Sequence, residues 1–350
     1  MLLSDKDLLK AYQSLADQDN KLAPAGEFAD DVAAIASDML KGDHLNFLSD
    51  DFRGRVEFRR GELTIVAGAS GHGKSALTGQ IALDLADQKR KVCIISLEMT
   101  PARTLWRMAR NMFGYRVCGR MPSHKKEAAD CTDKFLETID KQIFLLDKVG
   151  SATPVQVFGT IVKAVNEFGV RHVIIDNLMR VCPEYGDKAN ESQKDFIQNL
   201  IALTKRLNIH TWLVHHVRKG MNEDEEINKY SIRGAAAITD NADNILLFQR
   251  NLKKEKKREP DGHYEDSVDQ NEPDNVLVVD KQRNGEWQGR IPLWYSAEFM
   301  RFYPTHERGK KERIASAPAP QSPFVSLKAE AHPQPQPVQA IKENDEDFWM

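Results

Sequence analysis

The sequence predicts an α/β fold on a largely parallel sheet, and three observations predict it. Apolar β-type runs alternate with helical patterns from about residue 55 to 304, as strand–helix–strand units require. A glycine-rich segment, GASGHGKS at Gly68–Ser75, sits between an apolar run and an amphipathic stretch. Several of the apolar runs end in a polar or charged residue, His172–Asp176 among them, at the strand edge where open α/β sheets bind ligands.

Taken in order, the first 45 or so residues hold two short amphipathic patterns, LSDKDLLKAYQSLAD and GEFADDVAAIASDML, separated by a Pro-Ala-Gly turn. They are too short to fold alone, so 1–50 reads as an N-terminal helical segment that packs on something else. Strands are expected at Leu63–Ala67, Val92–Ser96, Ile143–Leu146, His172–Asp176, Thr211–His215, Asn244–Phe248 and Val276–Asp280. Helices should begin near Lys74, Pro101, Lys125, Pro154, Asn190 and Gly234. This gives a domain over 51–304. Six of the 15 prolines then fall between Pro318 and Pro337, among Gln, Ala and Ser. Such a composition buries too little surface to offset ordering, so 305–341 is expected to be a disordered linker. The chain closes on an acidic, aromatic tip, 342–350.

Composition narrows the partners. With 49 Lys+Arg against 52 Asp+Glu the net charge is −3, which excludes a globally basic nucleic-acid coat and leaves local patches to do any polyanion binding. No apolar run approaches the ~20 residues of a membrane span, and the N-terminus has no secretory pattern. No membrane association and a cytoplasmic location, the host's if the gene is a phage's, are therefore expected. Cys93, Cys118, Cys131 and Cys182 show no metal-type spacing and read as reduced thiols.

GASGHGKS fits the phosphate-binding loop G-x-x-x-x-G-K-[ST] in the strand–loop–helix context that the motif needs. Gly68, Gly71 and Gly73 let the backbone turn its N–H groups, with the helix N-terminus, towards phosphates. Lys74 then reaches the β and γ oxygens and the Ser75 hydroxyl ligates Mg²⁺. Asp176, ending HVIID, is placed to hold the magnesium shell beside such a loop. An acid at a strand end can also be a turn starter or helix cap.

Glu98, after the strand VCIIS and before a Thr-Pro helix start, can orient and polarise an attacking water, or simply favour the helix dipole.

The ordered set GASGHGKS, ISLEMT, VIIDN, WLVHHV, IRGAAAITDNADNILLFQRN and VVDKQRNGEWQG resembles the DnaB-like hexameric replicative helicases with a RecA-like P-loop NTPase core. It looks closest to the helicase half of podovirus-type phage primase-helicases and of Twinkle. The resemblance covers 55–304. It implies that Glu98 is the catalytic carboxylate, that Asp176 holds Mg²⁺ through water, and that His216 senses the γ-phosphate. It makes Lys281 and Arg283 residues that act on a neighbour's nucleotide, where the bland reading of QRNGEW is a hairpin turn with exposed charges. ATP, or dTTP, with Mg²⁺ would be the cofactor, and 5′–3′ polarity follows from the family alone.

DNA contact is expected from Arg218, Lys219, Lys229, Arg233 and Gly234, in loops whose glycines admit phosphates. The acidic run NEDEE inside that stretch fits a solvated loop instead. The charged insertion 253–274 reads as an exposed hairpin loop.

The implied partners are single-stranded and fork DNA, further copies in a homo-hexamer or other closed ring, a DNA polymerase through the tail, and a separate primase, since no primase-like region precedes the core. The expected function is an ATP-dependent replicative helicase. The alternatives are a recombination ATPase, a plasmid-type replication helicase or a non-motor ATP switch.

Overall fold

The structure, a computed structural model, describes residues 24–30, 32–33, 42–119, 124–182, 187–217, 227–232, 236–256 and 271–305. It divides into two compact units, 1–42 and 43–350. In the first, Pro24 leads into a 3₁₀ turn at Ala25–Phe28. Most of the two amphipathic patterns expected there lie outside the described residues, as does everything beyond Thr305.

The second unit is built on a nine-stranded sheet. Its elements are β1 (Leu63–Gly68), α1 (Lys74–Asp87), β2 (Val92–Ser96), α2 (Pro101–Phe113), α3 (Lys125–Ile139), β3 (Ile143–Leu145), α4 (Pro154–Phe168), β4 (His172–Asp176), α5 (Leu178–Val181), α6 (Asp187–Arg206), β5 (His210–His216), α7 (Ala236–Asn241), β6 (Asn244–Arg250), α8 (Leu252–Lys256), β7 (Asn275–Gln282), β8 (Gly289–Ser296) and β9 (Arg301–Tyr303). The strand order is β3-β2-β4-β5-β1-β6-β7-β8-β9. The first six run parallel and the last three antiparallel.

Both faces of the parallel part are covered, which is why its strands read as continuous apolar runs. Leu63, Ile65 and Ala67 of β1 face one core with Val157, Ile161, Phe196 and Leu200 of α4 and α6. Val66, with Trp212 of β5, faces the other, closed by Leu77 and Ile81 of α1, Met108 and Phe113 of α2 and Phe135 of α3. Alternation at period 2 divides each strand between the two layers. Helix starts follow local chemistry: Thr100 caps α2 and Thr153 caps α4, each ahead of a proline at the first turn, where a missing N–H costs nothing.

Three features differ from the sequence expectation. β8 and β9 are absent from it, since the strands read there end at Asp280 and the QRNGEW turn. Within β8, Pro292 is in register with Val276 of β7 and lies outside the short Trp294–Ser296 ladder with β9. The insertion at 253–274 does not begin as an exposed loop. Leu252–Lys256 is helical, and Lys254 is buried with its Nζ 2.9 Å from Asp274. Residues 257–270 lie outside the described part. The folded unit also starts earlier than residue 51. Leu45, Phe47 and Leu48 are buried in the core, and Asp84 Oδ2 accepts the Asn46 N–H at 2.6 Å.

Along the edge where the parallel strands begin runs a row of buried polar groups. Asp43 accepts from Arg90 Nε at 2.6 Å and pairs with His172 Nε2 at 2.8 Å. Trp212 Nε1 donates to His172 Nδ1. His210 bonds Thr64 Oγ1 at 2.9 Å and the Arg59 carbonyl at 2.6 Å. Asn244 donates to both Thr64 and Glu62, and Asn284 closes the row on Glu62. Burial alone raises the Asp43 pKa, but the hydrogen bond and charge of His172 and the charge of Arg90 outweigh it and hold the carboxyl at about 2, below its usual 3.8.

A carboxyl depressed in the folded state stabilises above its unfolded pKa and loses that contribution as pH falls through the folded value. Asp43→Asn should therefore cost about 2 kcal/mol at pH 6. Urea melts taken from pH 6 towards pH 2 should show the gap between variant and parent closing below pH 3.8. A gap that stays constant across this range would show that the charge of Asp43 contributes nothing.

Candidate active site

β1 lies between β5 and β6, and its C-terminal end opens directly into the glycine-rich loop. Gly68 must be glycine for a reason the motif does not state. A Cβ there would stand 2.3 Å from the Phe248 carbonyl oxygen, so the loop can leave the sheet only without a side chain. Gly71 and Gly73 have φ of +81° and +97°, the left-handed region that suits glycine. Gly73 is also the N-cap of α1, whose first N–H groups and dipole favour an anion. Arg250, at the end of β6, ties the loop down by donating its N–H to His72 Nδ1 at 3.2 Å.

Five of the residues singled out in the sequence converge here. The Lys74 ammonium is buried and donates to the carbonyls of Gly68 at 2.9 Å and Ala69 at 2.8 Å. It lies 3.3 Å from His216 Nδ1. Burial lowers its pKa to about 8, against the pull of Asp176 and Glu98. Ser75 Oγ donates to Asp176 Oδ2 at 2.7 Å. Burial raises the pKa of Asp176; the Ser75 hydrogen bond opposes the shift and the charge of Glu98 adds to it. Two oxygens so close, one a buried carboxylate's, form the hard donor set that Mg²⁺ takes beside phosphates. The loop, Lys74, Ser75 and Asp176 thus fit a magnesium nucleotide.

Glu98 is positioned by the pairing of β2 with β4. Ser96 is in register with Asp176, and Leu97 N–H donates to the Asp176 carbonyl at 2.9 Å. The next residues of the two strands, Glu98 and Asn177, therefore diverge from one point. Nothing in the sequence singles out Asn177, though it follows Asp176 directly. Its Nδ2 donates to Glu98 Oε1 at 2.6 Å and lies 3.1 Å from His216 Nε2. Arg180 Nε stands 3.8 Å from the same Glu98 oxygen. His215, the neighbour of His216, is fully buried.

Lys281 and Arg283 are not part of this cluster. Gln282 pairs with Asn244, which pairs with Thr64, so both lie at the far edge of the sheet. Four residues of strand separate Thr64 from Gly68, roughly 13 Å at ~3.3 Å per residue. Lys281 Nζ caps the end of α7 through the carbonyls of Thr239 and Asp240. Arg283 bonds the Asp240 carbonyl and pairs with Asp243 at 3.1 Å. Lys229 has its Nζ 5.5 Å from the centre of the Tyr230 ring, and Tyr230 is 75% exposed. Arg218, Lys219, Arg233 and Gly234 lie outside the described residues.

A family model described as an AAA domain matches residues 56–222. Among solved structures, one described as an ATPase domain superposes with a TM-score of 0.65. It is 15% identical, with 80% of this chain and 99% of that one covered. A DnaB-like replicative helicase, described together with its interactions with primase, gives a TM-score of 0.63. It is also 15% identical, with coverage of 85% and 71%. The chain has the fold of a DnaB-like helicase ATPase domain. In that fold the glycine loop, Asp176 and Glu98 occupy one crevice at the carboxyl ends of the parallel strands, where such sheets bind ligands.

The loop geometry can be tested apart from any chemistry. Gly71→Ala meets open space and should cost only the left-handed backbone, about 1–2 kcal/mol. Gly73→Ala bears the same backbone term, and its Cβ, 3.4 Å from Phe302 and 3.5 Å from Phe248, makes only ordinary van der Waals contact, so it should lose a similar amount in urea titration. Parental stability in either variant would refute the left-handed backbone as the reason for that glycine.

Proposed function

We propose that the chain is an ATP-driven DNA helicase that acts as a closed ring on single-stranded DNA at a replication fork. The observation that carries this is the placement of its charged groups. Lys74, Ser75, Asp176, Glu98 and His216 meet at one edge of the sheet, while Lys281 and Arg283 lie at the other. A site completed from the opposite edge needs a second subunit, and head-to-tail repetition that closes gives a ring.

Bound in the crevice, Mg²⁺ with ATP, or with dTTP, supplies the phosphoanhydride bond and a Lewis acid. Lys74 gives up its loop carbonyls for phosphate oxygens. Ser75 and Asp176 would hold the metal, Asp176 through water. Glu98 orients a water and draws its proton, and His216 reads the terminal phosphate. Arg283 of an adjacent copy stabilises charge that develops in transfer, a task suited to a planar guanidinium, and Lys281 works beside it.

DNA is held by Arg218, Lys219, Lys229, Arg233 and the backbone at Gly234. Exposed Tyr230 adds a face on which bases can stack. The N-terminal segment docks on the neighbouring subunit, and the acidic, aromatic tip 342–350 recruits a DNA polymerase on its Pro-rich tether. Support for the helicase over a recombination ATPase or a switch comes from the two structural likenesses, and a strand-displacement assay separates the three, since only the helicase unwinds.

Lys74→Ala should remove nucleotide binding and turnover together, whereas Glu98→Gln should keep binding and lose turnover. Parental ATP hydrolysis by Glu98→Gln on single-stranded DNA would be incompatible with its assignment.

Arg283→Ala should bind ATP but hydrolyse it on the order of 10³-fold more slowly. Rings mixed from Arg283→Ala and Lys74→Ala subunits should regain part of the rate, because some interfaces then combine an intact loop with an intact arginine. Verified mixed rings without any recovery would exclude action across the interface.

A further inference from the structure

Asn177 touches both the carboxylate and the histidine of the crevice, and it is 1% exposed. Glu98 as a carboxylate can only accept, so it fixes the amide with Nδ2 towards it. The other hydrogen on Nδ2 is available to His216 Nε2 at 3.1 Å. A neutral imidazole has one accepting nitrogen and one N–H. If Nε2 accepts from Asn177, Nδ1 carries the proton, yet Nδ1 lies 3.3 Å from the Lys74 ammonium, which also only donates. His216 can therefore accept from Lys74 or from Asn177, but not from both.

We propose that Asn177 is a positioning residue, and that His216 and Asn177 form a tautomer relay that reports an anionic phosphate at the loop to Glu98. The relay rests on the nucleotide-hydrolysis reading above. With Lys74 donating to Nδ1, the ring is held with its proton on Nε2, where it opposes the second hydrogen of the Asn177 amide and leaves that amide tied to Glu98 alone. A phosphate that draws Lys74 away frees Nδ1. One proton then leaves Nε2 for solvent and one is taken up at Nδ1, so the ring stays neutral and no charge is created. The Nδ1–H now donates towards the phosphate, Nε2 accepts from Asn177, and Asn177 donates to Glu98. Every bond in the chain then has a donor and an acceptor. Asn177 Oδ1, buried without a hydrogen-bond partner, leaves the amide's donors as the only part of the side chain engaged.

The two tautomers differ in which ring nitrogen carries hydrogen, and solid-state ¹⁵N NMR of histidine-labelled full-length protein separates them. His216→Gln identifies the resonances. Adding Mg²⁺ with a non-hydrolysable ATP analogue should move the proton from Nε2 to Nδ1. Asn177→Ala should keep the KM for ATP and lower kcat on the order of 10²-fold. Asn177→Leu, which keeps the shape with neither an N–H donor nor a charge, should lose as much.

An unchanged tautomer on analogue binding, or a parental kcat in both Asn177 variants, overturns the relay and leaves the hydrolysis reading standing if the parent hydrolyses ATP. Failure of the parent to bind the analogue overturns both.

Discussion

Burial of the central strands on both faces governs where this molecule can place charge. β1, β4 and β5 have helices above and below them, so a polar group on their faces would have to be matched within the core. At the two ends of the strands, loops and neighbouring strand ends supply the partners that meet that demand. At one end the chain assembles a Ser75–Asp176 pair beside a chain of contacts running Lys74–His216–Asn177–Glu98. At the other it lays down the Asp43–His172–His210–Glu62 row. The same constraint accounts for the Lys74 environment: an ammonium that is 6% exposed must find carbonyls, and the loop that follows β1 supplies them.

Much of this was legible in the residues. The strand boundaries at Val92–Ser96 and His172–Asp176 coincide with the structure, because strands buried on both faces are unbroken apolar runs that stop sharply at a polar residue. α2 and α4 begin where Thr-Pro and the cap signals place them. β8 was not read, because the hairpin turn QRNGEW does not by itself say where a returning strand pairs, and its register with β7 is a tertiary fact. Asn177 was hidden differently: amides are common at strand ends, and nothing local states that β2 and β4 pair in the register that sets it against Glu98. The far-edge position of Lys281 and Arg283 likewise follows from the antiparallel return of β7 along β6, which sequence order alone does not specify.

The match of fold at 15% identity also has a physical sense. What such chains need to share is the layer architecture and the sharp turn out of β1, and these tolerate many apolar substitutions provided volume and pattern are kept. The side chains that cannot drift so freely are those whose atoms meet: Gly68 against the Phe248 carbonyl, Ser75 against Asp176.

The polar row beneath the sheet acts as an alignment key. His172 is in register with His210, and Thr64 with both Trp212 and Asn244. Sliding any of these strands by one residue would send its apolar side chains to the opposite layer and leave several buried donors and acceptors unmatched. The strands are stiff and nearly inextensible, so locking their lower ends also fixes the heights of their upper ends. The levels at which Gly68, Asp176 and His216 emerge are thus set from the opposite side of the domain, by residues that never approach the crevice.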